Sequence, residues 1–236
     1  MYKWNNPTLI VVAHTEGRDH LLEMTLPNLR AQYTHADIQI IDMPKGPFGP
    51  CAAWYHADIK DHHDFIIYTS DEILVPPDAV KRMREQHNPE RRSTPLLYFI
   101  NRPHMQYVNL QDIDAIQQQP EFFNIYSRWG VYNRDMHTWK HHVCFTGHTK
   151  EGWRKLGFPP PLFEFGEGDD AWLWKREHEL GLYVNQIDLT VYHLFHGRNR
   201  QGGEPSTLWH VQNYEDYVAP EEINESLRVR RAKGRM

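Results

Sequence analysis

DFIIYTSDEILVPPDAVKRM, running from Asp64 to Met83, carries three signals in order. Phe65 to Tyr68 is an unbroken apolar run of aromatic and β-branched residues, the composition of a strand buried on both faces. Thr69-Ser-Asp-Glu72 ends it with polar groups. Pro77 then opens a helix over 77–83, because a fixed φ near −65° suits a first helical turn. A strand, an acidic strand end and a proline-started helix form one repeat of an α/β sheet.

Upstream the pattern recurs. Thr8-Leu-Ile-Val-Val-Ala13 reads as a buried parallel strand after Pro7. Arg18 to Gln32 reads as a helix on Leu21, Leu22, Met24, Leu26 and Leu29, with Pro27 marking a kink or break. Asp37 to Asp42 is a second strand, Pro44 to Pro50 a loop, and Cys51 to Lys60 an Ala-containing helix. Downstream, Leu96 to Ile100 is strand-like, and 101–140 has no clear period beyond a helix around Leu110 to Gln118. Gly147, Gly152 and Gly157 punctuate the next stretch. Asp169 to Leu180 reads as a helix ended by Gly181, and Leu189 to His193 as a last strand. Glu221 to Arg231 is a C-terminal helix running into a basic cluster.

Composition narrows the class. The chain has 236 residues, 40% hydrophobic and 24% charged, which is globular usage with length enough for a sizeable core. A net charge of −5 excludes a uniformly basic nucleic-acid coat. The two cysteines, Cys51 and Cys144, give no disulfide framework and read as reduced thiols. Leu9 to Ala13 is too short for a signal-peptide core or a membrane span, so a soluble, cytoplasmic protein is expected.

Three places carry chemistry. Asp71 and Glu72 are adjacent carboxylates at a strand's carboxyl end, where open α/β sheets bind ligands. Carboxylates there can hold a divalent cation and, through it, phosphates. The same acids also suit a helix start, where the macrodipole favours negative charge. Gly166-Glu-Gly-Asp-Asp170 precedes an amphipathic helix and serves either as caps or as the seat of a general base. His193 and His196 close the last strand, as ligands or as structural groups.

The ordered set resembles the family-2-like glycosyltransferases of the GT-A fold. Three segments carry the likeness: 64–83; CFTGHTKEGWRKLGFPPPLFEFGEGDDAWLWKREHELG, 144–181; and LTVYHLFH, 189–196. The resemblance implies a single-domain, Rossmann-like mixed sheet flanked by helices. It implies a GT-A-like domain over 1–220, with residues 1–100 binding the nucleotide and residues 101–220 on the acceptor side. A C-terminal helix and basic tail follow at 221–236.

It also implies roles. Ala13, His14, Thr15 and Asp42 would line the nucleotide pocket. Asp71 would face the ribose or the metal, and Glu72 would be the metal ligand where the family usually has Asp. Ser70 stands where the family's first signature acid would be. His193 would be the late metal ligand, with His196 second. Gly147 would let the backbone approach the donor sugar. Counting back from Arg176 makes Asp170 the general base, ahead of Asp169 and then Glu167.

The implied reaction is a metal-dependent, inverting transfer from a nucleotide-diphosphate donor, UDP-sugar by default, with Mn²⁺ or Mg²⁺. Arg198 and Arg200, in the glycine-rich 197–203 stretch, would pair with the diphosphate. The acceptor is a glycan or small-molecule hydroxyl. One alternative is a hydroxymethylated base in DNA, suggested by basic runs at 81–92 and 228–235. Other readings are a nucleotide-sugar-binding domain without turnover, and a histidine-rich zinc module using His62-His63, His141-His142 and His193/His196. A two-carboxylate glycoside hydrolase is a further alternative. The five tryptophans Trp129, Trp139, Trp153, Trp172 and Trp174 are either sugar platforms or core.

Overall fold

The computed structural model describes residues 6–32, 36–43, 53–54, 56–99, 144–157, 173, 176–182 and 184–194. Among them run β1 (Thr8–Thr15), α1 (Asp19–Arg30), β2 (Ala36–Met43), β3 (Phe65–Ser70), β4 (Ile73–Leu74) and α2 (Ala79–Glu85). Then come β5 (Ser93–Phe99), β6 (Phe145–Thr149), α3 (Lys150–Leu156) and β7 (Asn185–His193). The described strands make one mixed sheet in the order β2-β1-β3-β6-β5-β7-β4. β1, β2 and β3 are mutually parallel, and β5 runs parallel to β7. β6 is antiparallel to both β3 and β5, so β5 and β7 point the same way as β3. β4 pairs antiparallel with β7 along the far edge.

The apolar runs explain the layering. Successive side chains of a strand alternate between faces. Ile10, Val12, Phe65 and Ile67 therefore bury under Leu29 of α1 and Ala79, Val80 and Met83 of α2. Leu9, Val11, Ala13, Ile66 and Tyr68 bury on the other face, with Trp153 and Leu156 of α3, Ala53, Trp54 and Leu173. With both faces covered, the central strands lack a polar alternation. Trp153 is core: its ring packs edge-on to Tyr68 and Trp54, and its indole N–H donates to the Ile66 carbonyl at 3.0 Å. Burying a ring of this kind contributes on the order of 2–3 kcal/mol.

Several sequence expectations change. α1 runs on through Pro27, because Leu21, Thr25 and Leu29 stay buried on one face and the helix closes beyond the proline with Ala31 N–H on the Pro27 carbonyl. In the expected 51–60 helix, Ala53 and Trp54 sit in a single tight turn and Ala57 to Lys60 are irregular. The alanine content misled, since Ala53 and Trp54 fill the sheet face instead. β6 and α3 were not expected at all. Phe145-Thr-Gly-His-Thr149 is a strand because β3 and β5 flank it, and Thr149 caps α3 by accepting the Gly152 N–H at 2.9 Å. The helix ending at Gly181 is confirmed in its last turn. Gly181 has φ +66°, its N–H bonds the His178 carbonyl, and Leu182 N–H bonds the Glu177 carbonyl.

The basic run at 81–92 is not a solvated cationic face. Arg84 is buried, donating to the Asn6 carbonyl and Thr8 and pairing with Asp64. Arg92 is buried, 2.7 Å from Glu177, and donates to Thr146. Two of the positive charges counted toward a phosphate-binding surface thus lie inside the protein. The tail run at 228–235 lies outside the described residues.

Candidate active site at the strand ends

β1, β2 and β3 end side by side, with His14 opposite Asp42 and Ala13 opposite Ser70. After β1, Gly17 takes φ +85°, a conformation that favours glycine, and the chain turns back so that Arg18 heads α1. After β3, Asp71 and Glu72 form the turn into β4. β4 pairs with the end of β7, setting Ile73 opposite His193, while Leu194 N–H donates to the Glu72 carbonyl at 2.8 Å. The topology thus brings together residues from three distant stretches of the chain.

Asp71 is fully buried. Its Oδ2 accepts the Thr15 N–H at 2.8 Å and lies 2.8 Å from His14 Nδ1. Its Oδ1 is buried and has no hydrogen-bond partner; the nearest cation is Arg18, 3.8 Å away. Arg18 also reaches Glu72 Oε2 at 3.3 Å, and Ser70 donates to Glu72 Oε1 at 2.8 Å. His14 Nε2 lies 3.3 Å from Asp19. Burial, with Glu72 beside it, pushes the Asp71 carboxyl up to about 9, against the opposing pull of Thr15 N–H and Arg18. Asp71 so raised keeps its proton at neutral pH, and Arg18 pairs with Glu72 within this cluster.

His193 completes it. Its Nδ1 lies 2.9 Å from the Leu194 carbonyl, which can only accept. That nitrogen therefore carries the proton, and the lone pair of the neutral ring sits on Nε2. Nε2 faces Glu72 Oε1 at 3.5 Å. Glu72 and His193 Nε2, a carboxylate and an imidazole nitrogen 3.5 Å apart, are donors that suit a divalent cation such as Mn²⁺. Among the described residues three such ligand atoms lie within 4.8 Å of one another only at Asp37, His62 and His63, so the Glu72–His193 pair would hold a cation together with the donor's phosphates.

The remaining expected residues divide. Ala13, His14, Thr15 and Asp42 lie at the same strand ends as the cluster. Gly147 does not join it: it lies inside β6, opposite Ile67, where a Cβ would stand 2.4 Å from Met83 Sδ and 2.8 Å from the Phe65 ring. Packing under α2 accounts for this glycine. Asp169, Asp170, Glu167, His196, Arg198 and Arg200 lie outside the described residues. Sequence reasoning missed Arg18, whose signal was faint: a Gly-Arg-Asp turn straight after an apolar strand.

A second histidine–carboxylate group lies at the opposite ends of these strands. Asp37 opens β2, and His62 and His63 precede β3, their ligand atoms lying within 4.8 Å of one another. His63 Nδ1 accepts the Lys60 N–H at 3.1 Å. The proton of the neutral ring is therefore on Nε2, pointing at Asp37 Oδ2 2.9 Å away, and that nitrogen has no lone pair to offer a metal. The arrangement is a fastening between β2 and the entry to β3. His62, of the same group, is half exposed.

No protein-family model matches the sequence, and no curated protein matches it. Solved structures do. The catalytic domain of Drosophila β1,4-galactosyltransferase 7, in complex with xylobiose, superposes with a TM-score of 0.59 at 12% identity, over 90% of this chain and 82% of that one. A mutant of that enzyme in complex with manganese, UDP-Gal and xylobiose gives 0.53 at 13% identity, over 94% and 79%. GalNAc-T7 with UDP, GalNAc and Mn²⁺ gives 0.52 at 11% identity, over 85% and 45%. The fold is that of the GT-A glycosyltransferases. At these identities the likeness is one of fold, and the GT-A sheet places the Asp71–Glu72–His193 cluster at the carboxyl ends of its parallel strands. Among the described residues no helix is long and apolar enough to cross a membrane.

Proposed function

We propose that this GT-A chain is a metal-dependent, inverting glycosyltransferase, moving a sugar from a nucleotide diphosphate, UDP by default, to an acceptor hydroxyl. The observation that carries it is the pairing of Glu72 with His193 Nε2, 3.5 Å apart at the carboxyl ends of the strands, with Asp71 buried beside Glu72. The manganese, UDP-sugar and xylobiose in complexes of structures sharing the fold support a cation, a uridine donor and a saccharide acceptor.

Asp71, Glu72 and His193 would hold Mn²⁺ or Mg²⁺, which when bound acts as a Lewis acid on the diphosphate leaving group. The chain's own groups do the rest. Ala13, His14, Thr15 and Asp42, within the nucleotide-binding region 1–100, line the base side of the donor. Thr15 N–H and His14 fix Asp71 Oδ2 beside the donor site. Arg18 balances the carboxylates and, with Arg198 and Arg200, meets the diphosphate. Asp170, with Asp169 and Glu167 as the other candidates, takes the acceptor's proton, contributing on the order of 10²–10⁴ in rate. Attack from the face opposite the nucleotide inverts the anomeric carbon. The acceptor-side region 101–220 and the 221–236 tail supply the acceptor pocket.

The test is nucleotide release from a panel of nucleotide sugars with Mn²⁺, Mg²⁺ or chelator. Slow hydrolysis that needs the ion and is lost in Glu72→Ala is expected. No release, together with no shift in melting temperature with any nucleotide sugar, would falsify the reading. Binding without release, across glycan and hydroxymethylated-DNA acceptors alike, assigns the chain to sugar-nucleotide binding without turnover.

A further inference from the structure

One stripe of α1 is devoted to the segment that carries the carboxylates. Thr25 and Asn28, three apart, share a helix face, and Gln32 follows just past the C-cap Ala31. Thr25 Oγ1 donates to the Asp71 carbonyl at 2.8 Å. Asn28 makes two bonds to one residue: its Nδ2 donates to the Val75 carbonyl at 2.7 Å, and its Oδ1 accepts the Val75 N–H at 2.8 Å. Gln32 Nε2 donates to the Pro76 carbonyl at 3.1 Å, and its Oε1 accepts the Val80 N–H at 3.2 Å.

The need for these bonds follows from the sequence. Pro76 and Pro77 have no N–H, so the chain cannot extend β4 into a longer ladder. Val75 and Pro76 are nonetheless buried, and their polar backbone groups need partners. An asparagine that bonds both the N–H and the C=O of one residue imitates a neighbouring strand. The carboxylate turn is thus held from three sides: Asp71 N–H on the Ala13 carbonyl of β1, Leu194 N–H on the Glu72 carbonyl, and the α1 stripe beneath.

Resting on the metal-site reading above, we propose that Thr25, Asn28 and Gln32 are positioning residues. They fix the spacing of Asp71 and Glu72 and thereby set the affinity of the site for its cation. Groups that orient metal ligands without touching the ion typically change affinity by about 10- to 100-fold when removed. This seam reads from sequence as ordinary helix polarity.

The test titrates the full chain with Mn²⁺ in the presence of UDP, reading free Mn²⁺ by its paramagnetic resonance signal. Asn28→Ala and the near-isosteric Thr25→Val should weaken Mn²⁺ binding about 10- to 100-fold. Asn28→Asp keeps the acceptor for Val75 N–H but loses the donor, and should fall between. In nucleotide release, saturating Mn²⁺ should recover most of the maximal rate, moving the activation constant more than the turnover. Trp153→Phe removes one buried hydrogen bond on the other sheet face and serves as the stability control. Unchanged Mn²⁺ affinity in Asn28→Ala and Thr25→Val, or an equal loss in Trp153→Phe at matched melting temperature, overturns the positioning role. Absence of Mn²⁺ binding by the unsubstituted protein overturns the metal-site reading itself and this inference with it. Should Asn28→Ala not fold, Thr25→Val and Asn28→Asp decide the matter.

Discussion

The two ends of the parallel strands each carry histidines beside a carboxylate, and by residue type alone they are hard to tell apart. At the amino end, His63 receives a backbone N–H on Nδ1 and presents its own N–H to Asp37. At the carboxyl end, His193 meets a backbone carbonyl with Nδ1 and turns a lone pair toward Glu72. One backbone group, donor in the first case and acceptor in the second, settles which nitrogen keeps its proton. The first arrangement is complete as it stands. The second sets that nitrogen beside two adjacent carboxylates, Glu72 and the buried Asp71. The difference lies in the hydrogen-bond partner at the other side of each ring.

The comparison breaks most sharply at Glu72. Glu72→Ala should lower metal-dependent nucleotide release about 10³-fold or more, since Lewis-acid assistance is worth several kcal/mol. Asp37→Ala should leave it within a factor of two, about the spread of a rate assay, with no metal effect. Comparable losses in both variants would erase the distinction between the ends.

Acid should act next, and on the core between them. Burial holds His148 down to about 3 and His87 down to about 4. Both rings therefore stay neutral in the folded protein while the unfolded chain protonates near 6.5. The contribution of the two rings should be full above about pH 6.5 and fall as pH drops from there toward 4, by on the order of 1.4 kcal/mol per pH unit for each ring. Asp71, its carboxyl pushed up to about 9, opposes it with the reverse slope between about pH 4 and 9, so the net fall over about pH 6.5 to 4 is that of about one ring. Denaturant melts at pH 7 and pH 5 measure this. A flat profile would mean that the rings are solvated in the folded state.

His193→Ala against His63→Ala sharpens the contrast to single residues. The first should weaken Mn²⁺ at least about tenfold and leave the melting temperature nearly unchanged. The second should leave Mn²⁺ affinity alone and cost about 1–3 kcal/mol of stability, because it removes a buried ring together with its hydrogen bonds to Asp37 and Lys60. An exchange of the two phenotypes would refute the tautomer argument. Smallest of all, His62→Ala removes a half-exposed contact to Asp37 and should shift stability by no more than about 0.5 kcal/mol.

Much of this was legible in the sequence. The runs at 8–13 and 65–68 read as buried strands and 37–42 as a further strand, which lies half-exposed at the sheet edge, and the acids at 71–72 fell where such sheets bind ligands. His193 closes the last strand, as the sequence reading places it. β6 was not legible, because Gly147 and His148 weaken a strand signal that only flanking neighbours restore. The 51–60 helix was overread from alanines that bury against a sheet. Arg18 and the His14–Asp71 contact depend on the Gly17 turn, and the α1 seam on where a helix lies across a proline-stopped strand. These are tertiary facts that no local window contains.

β3, β5 and β7 all finish at the site's end of the sheet, and β6 begins there. Phe99, Cys144 and Leu194, the last described residues on either side of the longer stretches, all stand at that rim. Insertions at those points cost only the entropy of closing a longer loop, about 0.6 kcal/mol for each doubling. A lineage built on this sheet can lengthen, shorten or exchange what meets the strand ends while the register beneath is inherited intact.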